Sequence, residues 1–441
     1  MERGSPYIMS GPAETPLDKT RDDVAKQYEE WVYPLPLERL EDYYDNNFWD
    51  FADPQIANVD IWPAGHLPDG SYRPDLDILI AGCGANAAAR FAHTNPKSRV
   101  TGIDLSEASL AHEKKLKEKY KLENLTLHQL PIEEVKSLGQ EFDLIESSGV
   151  LHHLESPEQG LSALSSVLKP NGAIAVMLYG RYGRAGIYML QQLFKDILGM
   201  DQSQASVEQI KTALQYLRPN HPGGSFLTSI DTRYDAGIVD LFLHPIDRGY
   251  TVQSCLDLAT ACNLTFQRWV EPFGYHPDGF IPQDAPVLKR LNALPEHELW
   301  TAMERYFSRI DKHSFYLTTQ QRNPKSYQIC FEGKDWLDYK PWRRIHKLIQ
   351  PDPVNKTPAM IQRHPYHPIP IIDHQAILIN ASATKEEIHN NPKTIREIVK
   401  ESGIKGKRQD VERYAQTFYH SMWKCGLMAF RIPHPDGEQN T

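Results

Sequence analysis

A chain of 441 residues has room for two or three domains, and its 40% hydrophobic, 24% charged and 10% aromatic content excludes collagen, coiled coil and wholesale disorder. Its 48 basic and 57 acidic residues leave a net charge of −9, which implies no broad polyanion-binding surface. The charge is uneven, because residues 334–413 carry 15 Lys/Arg against 10 Asp/Glu, a modest bias of the kind a solvated face shows.

Residues 22–51 combine a short helical pattern, broken at Pro34 and Pro36, with four tyrosines and two tryptophans. They read as an aromatic cap over 1–70 packed on a larger body. Strand and helix signals then alternate. LDILIAGC (76–83) is a continuous apolar run, the pattern of a strand buried on both faces of a parallel sheet. A helix over 86–93 follows, then the strand SRVTGIDL (98–105). SEASLAHEKKLKEKY (106–120) reads as a helix with Ser106 as its N-cap. LTLHQL, FDLIES and AIAVMLYG supply three more strands, and LSALSSVLKPNG (161–172) a helix that ends at Pro-Asn-Gly. The alternation lapses in a mostly helical stretch, 181–247. It resumes with the helix 251–263, the strand LTFQRWVEP (264–272), more helix over 286–310, and SYQICFEG (326–333) as a late strand.

The fold expected is α/β: a doubly wound, mostly parallel seven-stranded sheet with helical insertions, an N-terminal aromatic cap and a small C-terminal α+β domain. The sheet domain spans 71–333, with substrate-covering insertions at 181–250 and 275–325. A Pro/His-rich linker occupies 334–367. A C-terminal unit over 368–433 begins with short strands, followed by TIREIVKES, DVERYAQTFYHSMWKCG and LMAFRIP.

The five cysteines, Cys83, Cys255, Cys262, Cys330 and Cys425, form no CxxC pair. Neither a disulfide framework nor a zinc ribbon is expected, and a reducing, cytoplasmic setting fits. The start, MERGSPYIMSG, has no apolar core of signal-peptide length, and no run approaches the roughly 20 apolar residues of a membrane span. His364-x-x-His367 with His374 lacks a supporting Cys or carboxylate pair, so it reads as linker and no metal is expected.

The chemistry-bearing residues gather at strand ends. Gly82-Cys83-Gly84-Ala85-Asn86 directly follows the first strand, where glycines permit a tight turn and a close ligand approach beside a helix N-terminus. Asp104 closes the second strand, 20 residues after Gly84, where a carboxylate can accept both hydroxyls of a ribose. The third strand ends near Leu130-Pro131-Ile132-Glu133, and the fourth runs into Glu146-Ser147-Ser148-Gly149 and His152-His153. Carboxyl ends of adjacent strands are where open α/β sheets bind ligands, so a nucleoside cofactor is expected. A dinucleotide fingerprint would want a third glycine where Ala87 stands, an imperfect but tolerable match, so a dehydrogenase remains a competing reading.

AGCGAN, GIDLS, FDLIESSGVLHHL and LKPNGAIAVMLYG, in this order and spacing, resemble the class I S-adenosylmethionine-dependent methyltransferases. The resemblance is strong over 75–180 and weaker to 333, where the helix-strand pair and SYQICFEG would supply the sixth and antiparallel seventh strands. It implies S-adenosyl-L-methionine as cofactor. Gly82, Cys83 and Gly84 would line its methionine part, with Glu146 and Ser147 beneath the chain. Asp104 would bind the ribose, Leu105 would lie beside the adenine and Ile132 would pack on its face. Two departures stand out: the last glycine of GxGxG is Asn86, and Pro131 replaces an acidic residue, leaving the adenine amine to the backbone or Glu133. Tyr28 and Tyr33, with Trp31, are candidate aromatic walls over the sulfonium. His152 and His153 are the candidate catalytic base or orienter.

The C-terminal segment resembles PqqD-like winged-helix modules, which bind peptide leaders by adding a strand to a sheet edge. The resulting expectation is methyl transfer to N or O of a peptide, protein or small natural-product acceptor, a ribosomal peptide precursor among them. RNA methyl transfer and non-catalytic cofactor binding by a regulator are the competing readings. Nucleic acid is disfavoured by the net charge and by the lack of a dense basic patch with interleaved aromatics.

Overall fold

The computed structural model describes residues 16–43, then 53–345 apart from 219, 280 and 283, then 347–349, 359–362, 369–384, 387–388 and 390–436. Helix α1 (Pro16–Glu30) and α2 (Pro54–Ile61) precede the first strand, β1 (Asp77–Ala81). Then follow α3 (Ala87–Thr94), β2 (Arg99–Asp104), α4 (Glu107–Tyr120), β3 (Leu125–Gln129), β4 (Phe142–Ser148), α5 (Pro157–Ser165) and β5 (Leu168–Tyr179). The insertion after β5 holds α6 (Ala185–Leu198), α7 (Gln204–Gln215) and α8 (Asp235–Phe242), and is followed by α9 (Val252–Ala261) and β6 (Leu264–Trp269). Next come α10 (Pro286–Leu291), α11 (Glu296–Phe307) and β7 (Lys312–Thr319).

These seven strands form one sheet in the order β3-β2-β1-β4-β5-β7-β6, in which only β7 runs antiparallel to its neighbours. The expected architecture is therefore present. Apolar residues alternate between the two faces: Leu79, Ile145, Ile174 and Val176 pack on one side, Ile78, Ile80, Leu144 and Ala175 on the other. Ser106 caps α4 as expected, its hydroxyl accepting the Ser109 N–H.

Three boundaries differ from the sequence expectation. The seventh strand is Lys312–Thr319, not 326–333; the latter segment contains no strand. Its Tyr327 and Phe331 are buried, and Phe331 belongs to the core of the C-terminal unit, which explains its apolar pattern. Strand β5 begins at Leu168, so Pro170-Asn171-Gly172 lie within a strand rather than at a helix end. The stretch expected to be linker holds β8 (Lys340–Arg343), with β9 (Lys347–Ile349) and β10 (Ala359–Gln362) following it.

The C-terminal unit adds β11 (Ile369–Ile371), α12 (Asp373–Ala381), α13 (Ile395–Glu401), α14 (Arg408–Lys424) and β12 (Met428–Arg431). The run AILIN, expected among short strands, lies in helix α12. Strand β12 pairs antiparallel with β8, while β9, β10 and β11 form a separate three-stranded sheet. The β8–β12 sheet is flanked on both sides by this chain. Ala383 exchanges backbone bonds with Pro341 and Arg343 beside β8, and the Ile432 N–H after β12 is donated to the Pro63 carbonyl. Beside β8, then, part of the sheet edge is occupied by this chain itself.

The unit is fastened to the sheet domain by a buried ion cluster. Asp60 on α2 meets Arg268 of β6 at 3.0 Å and Arg344, just after β8, at 2.8 and 2.9 Å, with Asp60 and Arg344 fully buried. One carboxylate between two guanidinium groups makes the tail part of the body rather than a free module.

Candidate active site

A cavity of about 700 Å³ opens at the carboxyl ends of β1, β2, β4 and β5, within the size range of small-molecule sites. Its floor begins at the turn after β1. Gly82 takes φ +78°, and a Cβ there would fall 2.5 and 2.8 Å from the Val150 methyls, so only glycine fits. Asp104 braces this turn: Oδ2 accepts the Gly84 N–H at 2.7 Å and Oδ1 the Ser106 N–H at 2.9 Å. Each oxygen keeps a lone pair for a further donor. Burial holds the Asp104 carboxyl above its usual range, and the two backbone donors oppose that shift. Glu113 supports the loop from below, accepting the Ala88 and Ala89 N–H groups at the start of α3; burial pushes its carboxyl up to about 8.

The cavity is lined by Gly82, Cys83, Gly84, Asn86, Asp104, Leu105, Ile132, Glu133, Glu146, Tyr28, Tyr33 and His153. These sequence-selected residues therefore meet in one place. Ser147 and His152 do not. Ser147 is fully buried, since strand alternation turns Glu146 and Ser148 toward the cavity and Ser147 away. His152 is fully buried on the turn after β4, its ring between His153 and Tyr179 at 4.1 and 4.2 Å, and both its nitrogens lack a partner among the described residues. Burial drives its pKa well down, so a base role from this position is not supported. Trp31 is not a cavity wall; it packs on the α6–α8 core.

Asn86 has a function that the glycine pattern concealed. Its Oδ1 accepts the Leu37 N–H at 2.8 Å, and its Nδ2 donates to the Leu35 carbonyl at 3.1 Å. The side chain thereby clips the strap Tyr33–Leu37 across the glycine loop. A Cβ on Gly84 would stand 3.0 Å from the Pro34 ring, which shows how closely the strap lies.

The far end of the cavity is acidic and aromatic, and sequence reasoning missed most of it. Tyr179 at the end of β5, Asp231 and Tyr234 in the insertion, and Lys312 on β7 all line it. Tyr33 and Tyr234 donate to Asp231 Oδ1 at 3.4 and 3.3 Å, and Ser229 donates to Oδ2 at 3.0 Å. Only the LYG ending of β5 could have flagged Tyr179; the insertion carries no motif. His153 donates from Nδ1 to the Ile246 carbonyl at 2.6 Å, which leaves Nε2 with its lone pair. Burial lowers its pKa, so the ring is neutral.

One ligand atom each from His153, Asp240 and His244 lies within 4.8 Å of the others, a spacing that invites a cation. The Ile246 N–H, however, is donated to His244 Nδ1, so the neutral ring keeps its hydrogen on Nε2. The Arg184 guanidinium, 3.5 Å from Asp247, adds positive charge beside the set. The arrangement as it stands is a hydrogen-bond network. Of the histidines set aside as linker, His364 and His367 lie outside the described residues, while His374 is on α12 in edge contact with Tyr414.

The cavity suits S-adenosylmethionine: backbone at Gly82 approachable only without a side chain, a braced carboxylate for two hydroxyls, and apolar Leu105 and Ile132 for a purine. Comparison with known proteins agrees. Residues 73–219 match the family described as methyltransferase domain. An uncharacterized protein of Synechococcus sp. is 27% identical over 320 residues, covering 71% of this chain and 75% of that protein. The mitochondrial ubiquinone biosynthesis O-methyltransferase of Dictyostelium discoideum is 26% identical over 120 residues, 25% of this chain and 36% of that enzyme. Among solved structures, PKMT2 from Rickettsia typhi in complex with AdoHcy is similar at a TM-score of 0.61 and 19% identity, over 88% of this chain and 76% of that chain. At that identity the likeness speaks for the fold, and it reaches well beyond the seven-stranded sheet. The family match falls on the strands and loops that wall the cavity, so residues 73–219 are a methyltransferase domain with the class I fold, and its cofactor is S-adenosylmethionine.

Proposed function

We propose that the methyl group goes to an amine nitrogen, carried by a peptide, a protein or a small natural product. The observation behind this reading is the acceptor end of the cavity, where Asp231 is ringed by Tyr33 and Tyr234 with Tyr28 and Tyr179 beside them. Carboxylate and tyrosine faces attract an ammonium group through its charge, an attraction that a neutral hydroxyl lacks. The bound cofactor supplies an electrophilic methyl on a sulfonium. The chain's own residues orient, exclude water and manage a proton.

In this reading Asp104 holds the ribose, Leu105 and Ile132 pack on the adenine with Glu133 near its amine, and Gly82, Cys83, Gly84 and Glu146 surround the methionine part. Asn86 fixes the strap that covers it. Tyr28 and Tyr33 wall the acceptor end, and His153, not His152, is the histidine that reaches the cavity. The sheet domain with its walls at 181–250 binds both partners, and the C-terminal unit buttresses it. Among the described residues no helix is long and apolar enough to cross a membrane.

The test is transfer of a tritiated methyl group from S-adenosylmethionine to a mixture of peptides bearing free amines, against the same mixture acetylated on every amine. Label should enter the first mixture and not the second. Equal incorporation into both would refute an amine acceptor.

A further inference from the structure

Behind the acceptor end lies a carboxylate that does not line the cavity. Asp240, on α8, is 1% exposed; its Oδ1 accepts the Tyr28 hydroxyl at 3.1 Å, and its Oδ2 has no partner among the described residues. The direction of that bond is set from the other side. His244 Nδ1 accepts the Ile246 N–H at 3.0 Å, so the hydrogen on Nε2 is donated to the Tyr28 oxygen at 3.3 Å. Tyr28 therefore receives one hydrogen bond and gives its own hydrogen to Asp240. One lone pair remains, on a residue that lines the cavity. A phenol held in this way presents an acceptor to whatever enters.

We infer that Tyr28 and Asp240 form the route by which the acceptor's proton leaves. The N–H bond of the ammonium breaks toward the Tyr28 oxygen as the Tyr28 O–H bond breaks toward Asp240 Oδ1. The ammonium becomes a neutral amine with a free lone pair, the tyrosine ends as it began, and the carboxylate becomes a carboxylic acid. Protons and charge balance. The inference rests on the amine reading above. Tyr28 touches the acceptor, and Asp240 is a positioning residue that acts through it.

The surroundings of Asp240 suit the task. Burial and the Asp247 and Asp231 carboxylates raise its pKa, Arg184 and the Tyr28 hydrogen bond lower it, and the result is about 7. The other groups facing the cluster are locked: burial holds Tyr28, Tyr33 and Tyr179 protonated and His153 and His244 neutral. Asp240 is thus poised to change charge close to neutral pH.

The test uses n-hexylammonium as a probe, titrated calorimetrically into the full chain saturated with AdoHcy, at pH 6 in two buffers of different ionisation enthalpy. A site that needs the carboxylate ionised should release close to one proton on binding, and probe affinity should rise about tenfold per pH unit up to about pH 7 before levelling. Asp240→Asn should release no proton and show a flat profile, and Tyr28→Phe should lose the pH dependence. A purely packing role for Asp240 would lower affinity alike at every pH. The wild-type proton count decides the matter even where a variant fails to fold. Probe binding without proton release, or an Asp240→Asn profile equal to wild type, overturns the relay and leaves the amine reading intact. Failure of the probe to bind overturns both.

Discussion

Asp104→Ala removes the carboxylate that braces the glycine turn and that, in the function proposed above, holds the cofactor's ribose. The carboxylate accepts two backbone N–H groups, from Gly84 at 2.7 Å and Ser106 at 2.9 Å, and so joins the glycine turn to the start of α4. Truncation leaves both donors without an acceptor, at about 1–3 kcal/mol each. Because the site opens to a cavity, water recovers part of this, and a stability loss of about 2–4 kcal/mol is expected. Binding suffers separately. Two ribose hydroxyls lose their acceptor, about 1–3 kcal/mol more, which is roughly 5–150-fold in the dissociation constant. Asp104→Asn keeps the shape and one acceptor and should fall between. Thermal unfolding reads the first effect and calorimetric titration with AdoHcy the second. An Asp104→Ala protein that unfolds at the wild-type temperature and binds AdoHcy with an unchanged dissociation constant would refute both the brace and the ribose assignment.

Asn86→Ala should free the strap by deleting two hydrogen bonds, about 1–3 kcal/mol together, and hydrogen exchange at the Leu37 amide should accelerate accordingly; an unchanged exchange rate would mean that the strap is held by something else. Asp60→Asn removes the carboxylate charge between the buried Arg268 and Arg344 and should cost about 3–5 kcal/mol in denaturant unfolding, so a loss below about 1 kcal/mol would contradict the coupling of tail and body. Glu113, with its carboxyl raised to about 8 by burial, contributes stability that is present below its unfolded value near 4.5 and is lost as pH rises through 8. Unfolding free energy measured across that window should therefore fall more steeply with pH in wild type than in Glu113→Gln, and parallel curves would show that the group titrates normally.

The glycine turn and the strand ends that wall the cavity were legible because their signals are local. A strand buried on both faces reads as a continuous apolar run, and a glycine turn followed by a carboxylate 20 residues later leaves few alternatives. Side-chain parity was harder: Glu146 and Ser147 are neighbours in sequence, yet the pleat sends only Glu146 to the cavity. His152 and His153 are also split, by the turn after β4 rather than by a pleat. The seventh strand was misplaced because KHSFYLTT carries a mixed polar pattern on a sheet buried at both faces, while SYQICFEG alternates cleanly for another reason, namely that Phe331 fills the core of the C-terminal unit. The acceptor end was illegible. Asp231, Tyr234 and Asp240 sit in a helical insertion whose residues meet the sheet only through tertiary packing, and no spacing rule connects Tyr28 with Asp240 across 212 positions.

The measurement that bears most directly on this account is a crystal structure of the chain with AdoHcy. The account predicts one molecule in the cavity, its ribose on Asp104, its adenine between Leu105 and Ile132, and its thioether sulfur facing Tyr28, Tyr179 and Asp231. A molecule bound in the opposite sense, with sulfur away from the tyrosines, or bound outside this cavity, would contradict it.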